Sequence, residues 1–165
     1  MNAAARFHDL YRHHAEHVYR FAYWLSGDAD LARDIVSDTF ARIWVSAPEV
    51  RVETARAYLL AIARNLFLHH QRRRKRQAPL EGIDPAVDSP DAGIEARSEL
   101  DHVLSCIQRL PEGERTALLL HGTEGLSYAE TARVLGKSEG AVRVLVHRAR
   151  RKLARIVQPT EDSPS

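Results

Sequence analysis

Seven basic side chains, Arg143, His147, Arg148, Arg150, Arg151, Lys152 and Arg155, fall on one side of a single helical period near the end of the chain. Such a face sets cations where the phosphates of a duplex run. Its first turns, with Lys137, Ser138, Glu139, Arg143 and Val144, lie where base edges are read. A second basic concentration is Arg72-Arg73-Arg74-Lys75-Arg76, continuous with a segment bearing Arg56, Arg64 and Asn65. Five like charges are a solvated tail in many proteins. Joined to further Arg and Asn on a helix, they read as a nucleic-acid face. Asp30, Asp34 and Asp38 recur every fourth residue. They form either a solvated face or an acidic docking stripe for a basic partner. His13, His14 and His17 share a helix face, but no fourth ligand or Cys-rich partner is near them, so no metal is expected. No phosphate loop, catalytic triad or cofactor motif is apparent, and an enzyme is the least favoured class.

These side chains need helices to position them. In SYAETARVLGKSEGAVRVLVHRARRKLARIV (Ser127–Val157), Ser127 and Glu130 form a capping box. Gly136 supplies a left-handed stop, and Ser138 caps the next helix. Two helices joined by a short Gly-containing turn are a helix-turn-helix. At about 100° per residue, Leu145, Val146, Ala149, Leu153, Ile156 and Val157 lie within roughly 60° of Val142, giving one apolar face. Val144 falls outward among the cations, while Leu145 points to the core.

Upstream, Phe7, Leu10, Tyr11, His14, Val18, Phe21, Ala22 and Leu25 follow the spacing of one buried helix face, which Gly27 ends. Asp28 caps a second helix running to about Ser46, with apolar pairs at Leu31/Ala32, Ile35/Val36, Thr39/Phe40 and Ile43/Trp44. A loop with Pro48 follows, and Thr54 caps a third helix whose buried positions are expected at Tyr58, Leu59, Ile62, Leu66 and His69. Residues 77–93 carry Pro79, Pro85 and Pro90 among Asp and Gly without periodicity, and read as a flexible acidic linker. Ile94, Leu100, Val103, Leu104, Ile107 and Leu110 mark another helix. Pro111 opens one more, carrying Leu118, Leu119 and Leu120 and ending by Gly122. No strand-period segment appears. The expectation is an all-α chain of two small helical domains, 1–76 and 94–158, joined by the linker 77–93 and followed by a tail, 159–165.

Charge supports two nucleic-acid patches. Residues 51–76 carry 8 basic and 1 acidic side chains, residues 77–101 carry 1 and 7, and residues 137–158 carry 7 and 1. The net charge of +2 conceals this segregation. The single Cys106 permits no internal disulfide framework and reads as a small buried hydrophobe. Arg6, His8 and Asp9 interrupt any signal-like run, and no stretch approaches a membrane span, so reducing cytoplasm and no membrane insertion are expected.

The chain resembles an extracytoplasmic-function (ECF) sigma factor of the sigma-70 family. GDADLARDIVSDTFARIW (Gly27–Trp44) is similar to the family's core-polymerase docking helix. ARAYLLAIARNLFLHHQRRRKR (Ala55–Arg76) is similar to its promoter-melting and −10 helix. LPEGERTALLLHGTEGLSYAETARVLGKSEGAVRVLVHRAR (Leu110–Arg150) is similar to its region 4, which binds the −35 element. No region 3 lies between them, as in that group. The resemblance implies a non-enzymatic initiation factor that binds core RNA polymerase, promoter DNA and an anti-sigma factor, with no cofactor. It assigns docking to Asp34, Asp38, Phe40, Arg42 and Trp44. It assigns −10 contacts to Arg56, Tyr58, Arg64, Asn65, His69, Arg72 and Arg73, with bases unstacked into a pocket that includes Ser46–Thr54. It assigns −35 contacts to Lys137, Ser138, Glu139, Arg143, Val144, His147, Arg148 and Arg151. Departures occur at Arg33, Ser37, Tyr58, His69, Ala141 and Val144-Leu145, which bear on promoter sequence more than on function. The rival reading is a helix-turn-helix regulator that is not a polymerase subunit. It would normally need an effector domain in front, and residues 1–76 have no strand pattern for one.

Overall fold

The computed structural model describes residues 2–46, 55–81 and 95–157, with side chains over 2–46, 55–77 and 99–157. Every regular element among these residues is helical. Helix α1 (Ala3–Ser26) begins where Asn2 Oδ1 accepts from Ala5 N–H at 2.7 Å. It ends at Gly27, whose φ of 72° suits a residue without Cβ. Asp28 Oδ1 accepts from the N–H groups of Asp30 and Leu31, starting α2 (Ala29–Ser46) as its side chain predicts. Helix α3 is Ala55–Glu81, so it runs through Pro79, into the stretch that composition reads as linker. The loop expected to complete the −10 pocket and the Thr54 cap lie outside the described residues, as does the linker beyond Glu81.

Helices α1, α2 and α3 bury Leu10, Val18, Phe21, Leu25, Ile35, Phe40, Ile43, Leu59, Leu60 and Phe67. The third helix is buried one register away from expectation. Ala55, Leu59, Leu60, Ala63 and Phe67 are inside, Tyr58 is 44% exposed, His69 is exposed, and Ile62 and Leu66 are half-buried. The reason is that α3 is covered on two sides, by α1 and α2 and by the C-terminal half. The Tyr58–Ile62–Leu66 row is left on an open groove. Trp44, paired with Ile43 in the sequence pattern, is 54% exposed and meets Phe7 edge-on.

The second unit comprises α4 (Glu95–Gln108), α5 (Glu112–Leu118), a π-helical turn (Leu119–Thr123), α6 (Tyr128–Leu135) and α7 (Glu139–Val157). The Ser127–Glu130 capping box forms in both directions, and Gly136 has φ 66°. Cys106 is a buried free thiol. The π-turn carries the chain past Gly122, which does not end the helix, and delivers Leu119 and Leu120 to the core. Val142, Val146 and Ala149 are buried as their angular positions require. Leu153 and Ile156 are only half-covered and Val157 is 47% exposed, so the core face opens along the last two turns.

The two helical units pack against each other. Helix α3 meets α6, and α1 meets both α4 and the π-turn, so one apolar core runs through both.

Candidate nucleic-acid interface and docking face

Helix α7 is fixed from below by Val142, Val146 and Ala149, which turns its other side to solvent. Lys137, Glu139, Arg143, Val144, His147, Arg148 and Arg151 are exposed there. Val144 is 47% exposed, and Leu145 lies against Gly113, as the angular count predicts. Ser138 Oγ accepts from Ala141 N–H at 3.1 Å, so this side chain, assigned to the −35 element, caps the helix. Lys152 leaves the basic face. Its Nζ sits 2.9 Å from Glu114 Oε2 and ties α7 to α5.

Arg143 is held in a stack that sequence reasoning missed. Its guanidinium lies 4.7 Å from the Tyr128 ring centroid. The Tyr128 ring is stacked with His121 at 4.0 Å. His121 is itself anchored by a 2.8 Å hydrogen bond between its Nδ1 and the Leu126 carbonyl. Glu139 Oε2 is 3.8 Å from Arg143. The only sequence signal was an aromatic residue directly after the Ser127 cap.

The residues assigned to the −10 element divide into two groups. Asn65, His69 and Arg72 line a cavity of about 290 Å³ with Leu66 and Leu68, and Arg42 from α2 completes it. A neighbouring groove of about 690 Å³ is lined by Asp38, Arg42, Val45, Tyr58, Ile62 and Leu66. Amide, imidazole and guanidinium groups around a partly apolar hollow can hydrogen-bond and stack with an unpaired base while pairing with its phosphate. Arg73 is exposed beyond it. Arg56 and Arg64 are not brought to this cavity. Arg56 Nη1 donates to the Glu124 carbonyl at 3.0 Å, and Arg64 Nε donates to Glu112 Oε1 at 3.2 Å. Both are taken up by the C-terminal unit, a destination that residue types alone could not disclose.

The docking residues also divide. Asp34, Asp38 and Arg42 form one exposed row along α2. Phe40 is 3% exposed and lies roughly opposite that row, with its ring edge-on to Phe7 and Tyr11. Trp44 shares the Phe40 side. The five residues that the resemblance assigns to docking therefore do not share one face of α2. Four-residue spacing stacks each set, but the two sets start at offsets that place them on opposite sides of the helix. Asp30 is paired with Arg33. Arg42, assigned to docking, also lines the cavity of Asn65 and His69.

Two families match this chain: Sigma-70 region 2 over residues 10–77, and Sigma-70 region 4 over residues 100–153. The chain is 39% identical over 151 residues to the ECF RNA polymerase sigma factor SigE of Mycolicibacterium smegmatis, covering 88% of this chain and 59% of that protein. It therefore spans about three fifths of that relative. It is 33% identical over 164 residues to the ECF RNA polymerase sigma factor SigL of Mycobacterium tuberculosis, covering 94% of this chain and 90% of that protein. Among solved structures, the sigma factor RpoE in complex with the anti-sigma factor NepR from Bartonella quintana superposes with a TM-score of 0.74 at 26% identity, covering 89% of this chain and 93% of that one. Helix order, capped helix-turn-helix and sequence similarity along both units agree: the chain belongs to the ECF RNA polymerase sigma factors of the sigma-70 family.

Proposed function

We propose that this protein binds core RNA polymerase, directs it to specific promoters through −10 and −35 elements, and assists melting, without catalysis of its own. The observation that carries the reading is the pairing, in one chain, of a basic recognition helix on α7 with a cavity on α3 built from Asn65, His69, Arg72 and Arg42. The first suits the grooves of a duplex and the second suits a base taken out of the stack. A regulator acting only through its helix-turn-helix would have no use for the second. The acidic row of Asp34 and Asp38 is the surface we assign to polymerase, and its charge suits a basic partner.

Val144 is the apolar group on the outer face of the first turns and packs on a thymine methyl in this reading. Replacing that thymine by uracil then weakens binding by about 1 kcal/mol or less, below the ~1–3 of a bidentate pair. The RpoE relative is held by an anti-sigma factor, and we extend that mode of control to this chain. None of its described helices is long and apolar enough to cross a membrane, and we place its action in the cytoplasm, where polymerase is. Selecting genomic fragments with core polymerase plus this chain tests the assignment. Enrichment of one two-element motif supports it, and fragments no different from those held by core alone refute it.

A further inference from the structure

The acidic row on α2 ends in a cation. Asp34, Asp38 and Arg42 follow one another at four-residue spacing, and all three are exposed. A basic partner drawn to the two carboxylates is repelled by a guanidinium one turn further on. Arg42 has the wrong sign for that partner, and the surface around it offers another.

Two hollows meet at Arg42. The cavity of about 290 Å³ holds Asn65, His69 and Arg72, and the groove of about 690 Å³ holds Asp38, Tyr58 and Ile62. Among the described residues, Arg42 and Leu66 alone line both, so these two side chains form the wall between them. Leu66 is half-buried and apolar, whereas Arg42 is exposed and charged. Among the described residues the Arg42 guanidinium has no ion-pair partner, while Arg56 and Arg64 of α3 are engaged by Glu124 and Glu112. The polar cavity can hydrogen-bond one base. In the groove the Tyr58 ring, 44% exposed, offers the next base a stacking platform. A strand whose neighbouring bases enter the two hollows carries its phosphate over the wall. Asp38 repels a phosphate on the groove side, which leaves the place above Arg42 as the favourable one.

We propose that Arg42 is a DNA contact and not a polymerase contact. It binds the phosphate between two consecutive unpaired nucleotides, with one base in the cavity of Asn65 and His69 and the next against Tyr58. The inference rests on the reading of α3 as the −10 helix. The planar guanidinium can give two parallel hydrogen bonds to phosphate oxygens. Helix α2 thereby joins the surface that holds the melted strand. Because α2 also carries Asp34 and Asp38, one rigid helix sets the distance between the surface assigned to polymerase and that strand.

The test gives core polymerase and the full chain the duplex recovered by genomic selection, with its −10 element held open by mismatches. Arg42→Ala should leave capture by core polymerase intact and weaken binding to this bubble about tenfold, as loss of a charged hydrogen-bonding group does. The slope of log affinity against log salt should fall by about 0.7, the share of one phosphate on a single strand. Arg42→Lys keeps the charge and should keep the slope. Neutral methylphosphonates placed one at a time along the open strand then locate the contact. One of them should weaken wild-type binding and have no further effect on Arg42→Ala. Loss of core capture by Arg42→Ala, or the same methylphosphonate losses in wild type and variant, overturns the proposal. Arg72→Ala and Asn65→Ala check the reading beneath it. If they weaken bubble binding while Arg42→Ala does not, Arg42 is no DNA contact and the −10 assignment of α3 stands. If none of the three weakens it, that assignment falls together with the proposal.

Discussion

The guanidinium of Arg143 lies over the ring of Tyr128, 4.7 Å from its centroid, with His121 stacked on that ring. The contact orients a donor fork on α7, the helix we assign to the −35 element, and is worth about 0.5–1 kcal/mol at an exposed site. Tyr128→Leu should therefore blunt the base preference contributed by Arg143, and Tyr128→Phe should preserve it. Binding measured across all four bases at each −35 position checks this. A uniform loss over every sequence would mean that Tyr128 only supports the fold.

Asp34 and Asp38 are exposed in one row on α2, apart from the buried Phe40. Changing both to Lys should abolish capture by core polymerase while circular dichroism is unchanged. Phe40→Ala should instead lower stability by roughly 3–5 kcal/mol, because it opens a cavity beneath Phe7 and Tyr11. Normal capture by the double Lys variant would remove the docking assignment.

The run Arg72–Arg76 is exposed along α3. Each phosphate contact it makes should contribute about 0.9 to the slope of log affinity against log salt on duplex DNA. Arg73→Ala should weaken binding to all sequences alike. A slope unaltered by neutralising the whole run would show that it does not touch nucleic acid.

Glu130 closes the capping box by accepting from Ser127 N–H at 3.0 Å, and this hydrogen bond depresses its pKa. A carboxyl whose folded pKa is lowered stabilises the fold fully above its unfolded value and loses that contribution as pH falls through the folded one. Glu130→Gln keeps an acceptor but does not titrate. The stability gap between wild type and variant should narrow as pH falls below the ordinary glutamate value of about 4.3. Ser127→Ala should cost about 1 kcal/mol near neutral pH.

Local signals carried most of the fold. The Asn2, Asp28 and Ser127 side chains each bond free N–H groups at a helix start, and Gly27 and Gly136 stop helices in the left-handed region. Caps and periodicity depend on neighbours a few residues away, so Ser127, Gly136 and Val142 were legible. What was not legible depends on partners far along the chain. Arg56 and Arg64 have the residue types of a nucleic-acid face, yet they meet residues 68 and 48 positions later. Tyr58 is exposed and Phe67 buried because α3 is covered by α6 as well as by α1 and α2, which no pattern inside α3 encodes. Arg42 follows Asp34 and Asp38 at four-residue spacing, but its place on the cavity follows from how α2 sits on α3.

The most direct test of the central claim is initiation by reconstituted polymerase. Core enzyme alone and core enzyme with the purified chain are given the duplex recovered by genomic selection, and discrete transcripts are measured. The account predicts a defined start only when the chain is present, lost on changing Asp34 and Asp38 to Lys and on scrambling either promoter element. A chain that binds the duplex tightly but never yields a transcript with core would contradict it and leave a helix-turn-helix regulator outside the polymerase.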